Sequence, residues 1–255
     1  VNTVLQVGAN VGETMRVQIG NMDADELARQ MRRESVGGVD TSIGIDSANG
    51  HTLNLAGVTI RDTVISDDNL STSLRSGSAI AKAAAINDAF EFTGVRAISG
   101  PTVVDQDTLQ IQGGTLNETT YIVINGYKIG GFGVEANDSN GALVDAINAK
   151  AEQTGVIARL DADSELTLTA EDGRNIEIGF SALGGADLVT GLAADVYGGS
   201  LTLQSNDMFE AVFGSNNVND SLGALRHDTP PNTGSGLAIF GSNTDFSVND
   251  IDITS

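Results

Sequence analysis

The sequence has no cysteine, no tryptophan and only three prolines among its 255 residues. Without cysteine, the chain has no disulfide framework and no thiolate chemistry. Histidine is nearly absent as well, since His51 and His227 are the only two and lie 176 positions apart. These absences argue against a metal site built from the usual nitrogen and sulfur ligands.

Positive charge is also scarce, because 13 Lys and Arg residues face 34 Asp and Glu residues and give a formal net charge of -21. Binding to nucleic acid needs basic side chains that displace counterions from the phosphates. The only dense basic cluster, Arg29, Arg32 and Arg33, has acidic neighbours. We therefore expect no nucleic-acid partner and, for the same reason, no anionic membrane surface. No apolar run approaches the roughly 20 residues that a membrane span requires.

Glycine, in contrast, is abundant at 31 residues, and the hydrophobic fraction of 40% is ordinary for a folded protein. Short apolar runs alternate with Gly, Asn, Ser and Thr, which favours a strand-rich architecture with many turns. A chain of 255 residues can form one large domain or two modest domains, each with its own core.

The clearest structural unit runs over residues 121–180. Asn125-Gly126 separates two apolar runs there, and this pair is a strong hairpin signal because both turn residues need φ > 0. Apolar residues at helical spacing over 142–152 predict a helix, which Gly155 is placed to end. Stretches of alternating polarity follow up to Phe180. We expect an antiparallel sheet with one helix across its apolar face.

A degenerate copy of this pattern lies upstream. In both copies Ala-Ile-Asn precedes Thr-Gly-Val by a few residues, with a constant offset of 61 residues, at 85–87 with 93–95 and at 146–148 with 154–156. The upstream helix places Ala79, Ala83, Ile86 and Phe90 on one side, and residues 53–60 stand where the hairpin should be. We predict two repeated ββαββ-type units. Chance similarity of two helix-to-strand corners stays open as the alternative.

The flanking segments complete the predicted layout. Residues 4–19 alternate in polarity around a Gly-rich loop and predict a hairpin. Further expectations are a helix over 23–34, a polar surface loop over 62–78, helices over 186–194, over 207–213 and from 220 or 221 to 225, and an extended tail over 245–253. The predicted fold class is α+β and strand-rich, with antiparallel sheets and short helices packed on them. The two repeats are inserted between a hairpin-bearing N-terminal segment and a returning C-terminal segment.

Few residues suggest chemistry. The pairs Asp161 with Asp163, Asp105 with Asp107 and Asp250 with Asp252 offer oxygen ligands to Ca²⁺, with Glu165 near the first pair, yet none fits the complete calcium-loop pattern. Solvated turns are the expected role. The glycines at 130, 131 and 133 predict a bend. Neither a Gly-x-Ser-x-Gly elbow nor a phosphate loop nor a His-Glu-x-x-His motif occurs, so we expect no enzymatic activity, no cofactor and no metal.

Three segments resemble bacterial flagellins, in the order that the family shows. Residues 5–14 are similar to a hairpin motif that follows the N-terminal helices of flagellins. The repeated corner looks like a motif of the outer domains of flagellins and of related hook-associated proteins. Residues 251–255 resemble the segment that leads into the C-terminal helices. The resemblance implies a central fragment without the terminal helices that polymerise flagellin.

The resemblance also implies a function and a domain organisation. The implied role is that of a structural subunit of the flagellar filament, extracellular and exported without a cleaved signal peptide. Its implied partners are other flagellin subunits through the terminal helices, with a host innate immune receptor or surface glycans as further possibilities, and the fragment itself is expected to be monomeric. Residues 1–36 with 230–255 would form an inner, filament-proximal remnant, residues 37–114 the first outer repeat, and residues 115–229 the second repeat plus short helices.

The sequence is also compatible with two other functions. A protein of the hook-filament junction would share the repeated corner. A cell-surface adhesin or carbohydrate-binding protein would use acidic, Asn-rich loops to hold a ligand, and the loop over residues 62–68 is the candidate for that role.

Overall fold

The computed structural model describes residues 2–6, 14–18, 31–35, 37–105, 110–161, 163–181, 185–207, 209–214 and 237–240. Every strand pairing within these ranges is antiparallel. The helices in these ranges are short, and the longest of them has 10 residues. The predicted strand-rich α+β class is therefore confirmed. Within the described ranges, no helix has the length and apolar character to cross a bilayer.

The strands, in chain order, are β1 (Asn2–Gln6), β2 (Thr14–Gln18), β3 (Met31–Glu34), β4 (Leu53–Leu55), β5 (Val58–Thr59), β6 (Val95–Ser99), β7 (Thr102–Asp105), β8 (Gly114–Leu116), β9 (Ile122–Ile124), β10 (Tyr127–Ile129), β11 (Phe132–Val134), β12 (Ile157–Leu160), β13 (Leu166–Ala170), β14 (Ile176–Phe180), β15 (Asp195–Tyr197), β16 (Leu201–Ser205), β17 (Phe209–Phe213) and β18 (Leu237–Phe240). The helices are α1 (Ala79–Asp88), α2 (Phe90–Thr93), α3 (Ala142–Asn148), α4 (Ala151–Thr154) and α5 (Ala186–Thr190). Three 3₁₀ turns cover Ile65–Asp67, Arg75–Gly77 and Ala136–Asp138.

Among the residues that the structure describes, the buried apolar side chains form two clusters. The first cluster joins α1 to the sheets β3-β16-β6 and β18-β17-β4-β5. The second joins α3 and α5 to the sheets β10-β9-β14-β15, β12-β13-β7 and β11-β8. We call residues 31–100 with 199–214 the first lobe and residues 101–198 the second lobe. In sequence, the second lobe lies between β6 and β16, so the first lobe is completed by strands that follow the second.

The two lobes share their turn geometry and their strand pairing. Ala56 and Gly57 turn the β4-β5 hairpin with φ of 50° and 81°, and Asn125 and Gly126 turn β9-β10 with φ of 48° and 83°. The turn amides also have equivalent partners. Ala56 N donates to Glu210 O at 2.8 Å, and Asn125 N donates to Glu177 O at 3.0 Å. In each lobe the first hairpin strand also pairs with a strand from later in the chain, β4 with β17 and β9 with β14.

Several local predictions are corrected. The helix predicted over 207–213 is wrong, because Phe209, Ala211 and Phe213 alternate with exposed residues and bury one face of strand β17. Of the helix predicted over 23–34, residues 31–34 are a strand paired with β16, and residues 23–30 lie outside the described ranges. Residues 62–78 are mostly exposed or half-buried, as predicted for a surface loop, and they also contain two 3₁₀ turns and the buried Asp68. The helix predicted over 186–194 ends at Thr190.

The sequence also predicts elements at the two ends of the chain, and the structure describes part of each end. The predicted N-terminal hairpin is confirmed by β1 and β2, which pair from Asn2 with Gln18 to Gln6 with Thr14. Strand β18 pairs with β17. The predicted short helix ending at 225 and the extended tail over 245–253 lie outside the described ranges.

The turn residue Ala56 provides a first testable prediction. A β-carbon at this φ costs about 1–2 kcal/mol, whereas glycine accepts it at the expense of some unfolded-state entropy. Ala56→Gly is therefore expected to raise the free energy of unfolding by about 0.5–1 kcal/mol, measured by urea titration. Gly57→Ala, which introduces the same strain one residue later, should lower it. Equal effects of the two substitutions would contradict this account.

Candidate functional site

The acidic residues singled out for Ca²⁺ do not assemble a site in the described part of the chain. Asp161 Oδ1 accepts hydrogen bonds from Asp163 N and Glu165 N, both at 2.9 Å, so this carboxylate closes its own turn. Within the described residues, no group of three or more His, Cys, Asp and Glu side chains is placed to hold a metal ion. Asp107, His227, Asp250 and Asp252 lie outside those ranges.

His51 and the glycine-rich bend at residues 130–133 both lie at turns. The backbone of His51 pairs with that of Asp46 in an isolated bridge, with N to O distances of 2.8 and 2.9 Å. Gly131, with φ of 100°, lies in the bend between β10 and β11 and donates to Leu116 O at 2.9 Å. Neither arrangement brings together groups suited to catalysis.

The carboxylates of the 62–68 loop are bound within the fold. Asp62 accepts from Ser47 N at 2.8 Å and from Ser47 Oγ at 2.9 Å. Asp67 forms a two-point ion pair with Arg61 at 2.8 and 2.9 Å, and this guanidinium lowers the pKa of Asp67. The loop therefore does not present these two carboxylates as free ligands for a glycan.

Asp68 is fully buried and organises the same segment from inside. Its carboxylate accepts from Leu70 N at 2.8 Å, Ser71 N at 3.1 Å and Ser71 Oγ at 2.6 Å. Burial raises the pKa of Asp68, but hydrogen bonds from Ser71, from Ser78 and from the two backbone amides outweigh burial and lower it overall. Asp68 is thus a charged structural residue inside the 62–78 segment.

The repeated corner is the arrangement that the structure defines best. Asn87 clasps the backbone of Ala97 in the first lobe, with both bonds at 2.8 Å. Asn148 clasps Ala158 in the same way in the second lobe, at 3.0 and 2.8 Å. Each asparagine donates its amide to the alanine carbonyl and accepts from the alanine amide. The clasp ties the end of a helix to the middle of the next strand.

The Thr-Gly pair of each corner is equally alike. Gly94 and Gly155 end α2 and α4 with φ of 64° and 72°. Thr93 and Thr154 then accept hydrogen bonds from Val95 N and Val156 N, both at 3.1 Å. The residue types that repeat in sequence are therefore those that reverse the chain and satisfy its backbone groups.

Removing the clasp is expected to destabilise the second lobe. Ala158 is almost fully buried, so Asn148→Ala leaves a buried amide and a buried carbonyl without partners, at a cost of about 2–4 kcal/mol. Urea unfolding followed by circular dichroism measures this loss. Asn87→Ala removes the equivalent clasp and should act in the same direction. A change within about 0.5 kcal/mol, as for an ordinary surface substitution, would contradict the role of the clasp.

A polar contact joins the two lobes. The side chain of Asn175, which is fully buried, donates to Ser73 O at 3.0 Å and to Leu74 O at 3.3 Å, and its backbone amide donates to Ser71 Oγ at 2.8 Å. Thr41 Oγ1 donates to Val196 O at 2.9 Å. Sequence patterns do not predict this contact, because the partners lie about 100 or more residues apart.

Helix α2 exposes aromatic side chains. Phe92 is 78% exposed and Phe90 is 37% exposed. The Arg96 guanidinium carbon lies 5.1 Å from the centre of the Phe90 ring. The sequence predicts Phe90 on one side of the helix with Ala79, Ala83 and Ile86, and those three residues are buried. That expectation is wrong for Phe90, because the helix is interrupted at Ala89, with φ of -94° and ψ of 4°.

The family profile and three similar curated proteins that match this chain are all described as flagellins. The family profile described as "Flagellin hook IN motif" matches residues 122–172, which include the clasp of the second lobe. Flagellin A of Helicobacter felis is 33% identical over 179 residues, covering 69% of this chain and 32% of that protein. Flagellin A and flagellin B of Helicobacter pylori are 32% and 31% identical over 202 and 221 residues, covering 74% and 81% of this chain.

The chain spans only part of these relatives, 37% of Helicobacter pylori flagellin A and 41% of flagellin B. Among solved structures, the flagellar cap protein FliD of Helicobacter pylori aligns with 95% of this chain and 77% of its own. The sequence identity is 16% and the TM-score 0.28, which is too low to support a conclusion about the fold.

Proposed function

Because the chain belongs to the flagellin family, we propose that it forms the outer, surface-exposed part of a structural subunit of the bacterial flagellar filament and serves motility. The observation that carries this proposal is the alignment with flagellin B over 81% of the chain. The proposed location is extracellular, after export without a cleaved signal peptide, and the proposed role is structural and non-catalytic.

The charge distribution supports an outward position for the second lobe. Residues 101–198 contain 15 acidic and four basic residues, whereas the first lobe contains 10 acidic and six basic residues. A strongly acidic surface repels its equivalents and stays dissolved. Such a surface suits a part of the subunit that faces the medium.

Assembly into the filament is proposed to depend on terminal helices and not on the two lobes. Other flagellin subunits are the proposed partners, through terminal helices. Residues 1–36 with 230–255 are the proposed filament-proximal part and residues 37–229 the proposed outer part, and the two are joined through β3 and β18, which pair with the first-lobe strands β16 and β17. A host innate immune receptor and surface glycans stay predicted partners. The bound carboxylates of the 62–68 loop give the glycan prediction no support.

Immunogold labelling with antibodies against the second lobe tests the proposal. We expect label along the whole filament, loss of motility when the gene is deleted, and pelleting of the full-length protein under assembly conditions. Label confined to one short ring would identify a hook-filament junction protein instead. Cell-surface label on cells whose filaments are unlabelled would favour an adhesin.

A further inference from the structure

The aromatic corner of the first lobe has no counterpart in the second. At the shared offset of 61, Phe90, Phe92 and Arg96 correspond to Ala151, Gln153 and Ile157. Both corners form the same helix end, the same left-handed glycine and the same asparagine clasp. The fold of the corner therefore does not require the two aromatic rings, and their exposure calls for a separate reason.

The same face of the first lobe also carries positive charge. In the β3-β16-β6 sheet, Gln204 pairs with Arg32 on one side and with Arg96 on the other, so the three side chains form one row. Both arginines are exposed. Arg32 also forms a 3.3 Å ion pair with Glu34 on the same strand. In the second lobe, the row through Ile157 contains Thr169 and Val103 and no charge.

We call Phe90, Phe92, Arg96 and Arg32 the aromatic-arginine corner. Aromatic residues and arginine are the types that dominate binding energy in protein interfaces, and a guanidinium stacked on a ring is held ready for a carboxylate. A basic row in a chain with a net charge of -21 selects an acidic partner.

The second lobe of another copy provides that chemistry. Its excess of acidic over basic residues is far larger than that of the first lobe. A contact between different surfaces of identical subunits is heterologous, and heterologous contacts are the type that builds helical filaments. We propose that the aromatic-arginine corner docks on the acidic second lobe of a neighbouring copy, an inference that rests on the proposed filament function.

A contact made by the four residues of the aromatic-arginine corner is expected to be weak between isolated chains. In a filament, the assembly of other parts of the subunits would hold the two surfaces together at high effective concentration. The isolated chain is accordingly expected to be monomeric when dilute and to associate transiently at millimolar concentration. Transient contacts of that kind are measurable by intermolecular paramagnetic relaxation.

The experiment uses the absence of cysteine, because a single introduced cysteine takes a single spin label. Spin-labelled Glu91→Cys chain is mixed with unlabelled, ¹⁵N-enriched chain at millimolar concentration. Glu91 lies on α2 between the two phenylalanines, and Glu152→Cys places the label at the equivalent position of the other corner. We expect broadening of second-lobe amides from the Glu91 label and much weaker broadening from the Glu152 label.

A repeat-swapped variant tests which residues are responsible. Phe90→Ala, Phe92→Gln and Arg96→Ile place second-lobe residues in the first-lobe corner and should weaken association about tenfold, as expected for the loss of interface anchors. Added salt should weaken it as well. Unchanged chemical shifts outside the corner show that the variant is folded. If the triple variant does not fold, Phe92→Gln alone together with the salt series decides.

Several outcomes would overturn the inference: no intermolecular broadening, broadening confined to the first lobe, equal broadening from both labels, or broadening insensitive to the substitutions and to salt. Filament labelling by immunogold is independent of these readouts. Labelled filaments without this contact would retain the proposed function and reject the inference. If the contact is found but filaments are not labelled, the proposed filament function is rejected while the contact between copies stands.

Discussion

Raising the pH from 7 towards 10.5 is expected to stabilise the folded chain by several kcal/mol, and replacing Lys82 by methionine is expected to remove most of this gain. Lys82 lies on α1 and is fully buried. Its Nζ donates to the carbonyl oxygen of Asp40 at 2.7 Å. Burial lowers the pKa of Lys82 to about 7, and the charge of Asp40 offsets only part of this effect.

The direction of the pH dependence follows from the two pKa values. In the unfolded chain the pKa of a lysine is about 10.4, so between about pH 7 and that value the unfolded state binds more protons than the folded state. Stability therefore rises with pH across this range. The free-energy cost of burying the charged Lys82 side chain is present in full below about pH 7 and disappears above about pH 10.5. A difference of three to four pKa units corresponds to about 5 kcal/mol.

Urea unfolding at several pH values between 6 and 10 measures the effect in the natural chain and in Lys82→Met. Methionine keeps an unbranched apolar side chain and has no charge, so the variant should be more stable at neutral pH and show a flatter profile. Lys150→Met, at an exposed lysine, is the control and should keep the slope of the natural chain. Parallel profiles for the natural chain and Lys82→Met would show that Lys82 keeps its proton in the folded state.

The second large effect is expected for Gly77→Ala. Gly77 is buried at the end of a 3₁₀ turn, and a β-carbon built on it would lie 1.8 Å from the carbonyl oxygen of Thr41. Because backbone atoms on both sides would have to separate, we expect a loss of more than about 3 kcal/mol in the free energy of unfolding, above the usual range for overpacking.

Gly37→Ala is the matched control, because nothing lies within 4 Å of a β-carbon at that position. Gly37→Ala should change the free energy of unfolding by no more than about 0.5 kcal/mol, as for an ordinary surface substitution. Thermal unfolding of the two variants in parallel gives the comparison. Similar melting temperatures for both would mean that the contact between Gly77 and Thr41 relaxes without cost.

The two predictions concern one segment of the molecule. Residues 38–41 lie against the 3₁₀ turn at Gly77 through Thr41 and contact α1 through Asp40, and they reach the second lobe through Gly38 and Thr41. A β-carbon on Gly38 would lie 2.2 Å from Gly198 O. Gly77→Ala is therefore expected to increase hydrogen exchange at residues 196–199 as well, since a shift of Thr41 reaches the junction between the lobes.

Local features were predictable because short-range chemistry decides them. Asn125-Gly126 requires a turn with φ > 0, and the structure has that turn. The repeated Asn and Thr-Gly residues marked both corners because each residue type performs a backbone task that others do not. The prediction failed for residues 207–213, where a pattern of two-residue period was interpreted as a short helix, and pairing with β4 favours the strand.

The sequence by itself determined the strand-rich class, the hairpin turns, the two equivalent corners and the acidic character of the chain. Only the tertiary structure decided that β16 and β17 complete the first lobe, that Lys82 is buried, and that Phe92 faces solvent. The physical reason is the range of the interactions. Turns and caps depend on a few neighbouring residues, whereas strand pairing and burial depend on contacts between segments about 100 residues apart.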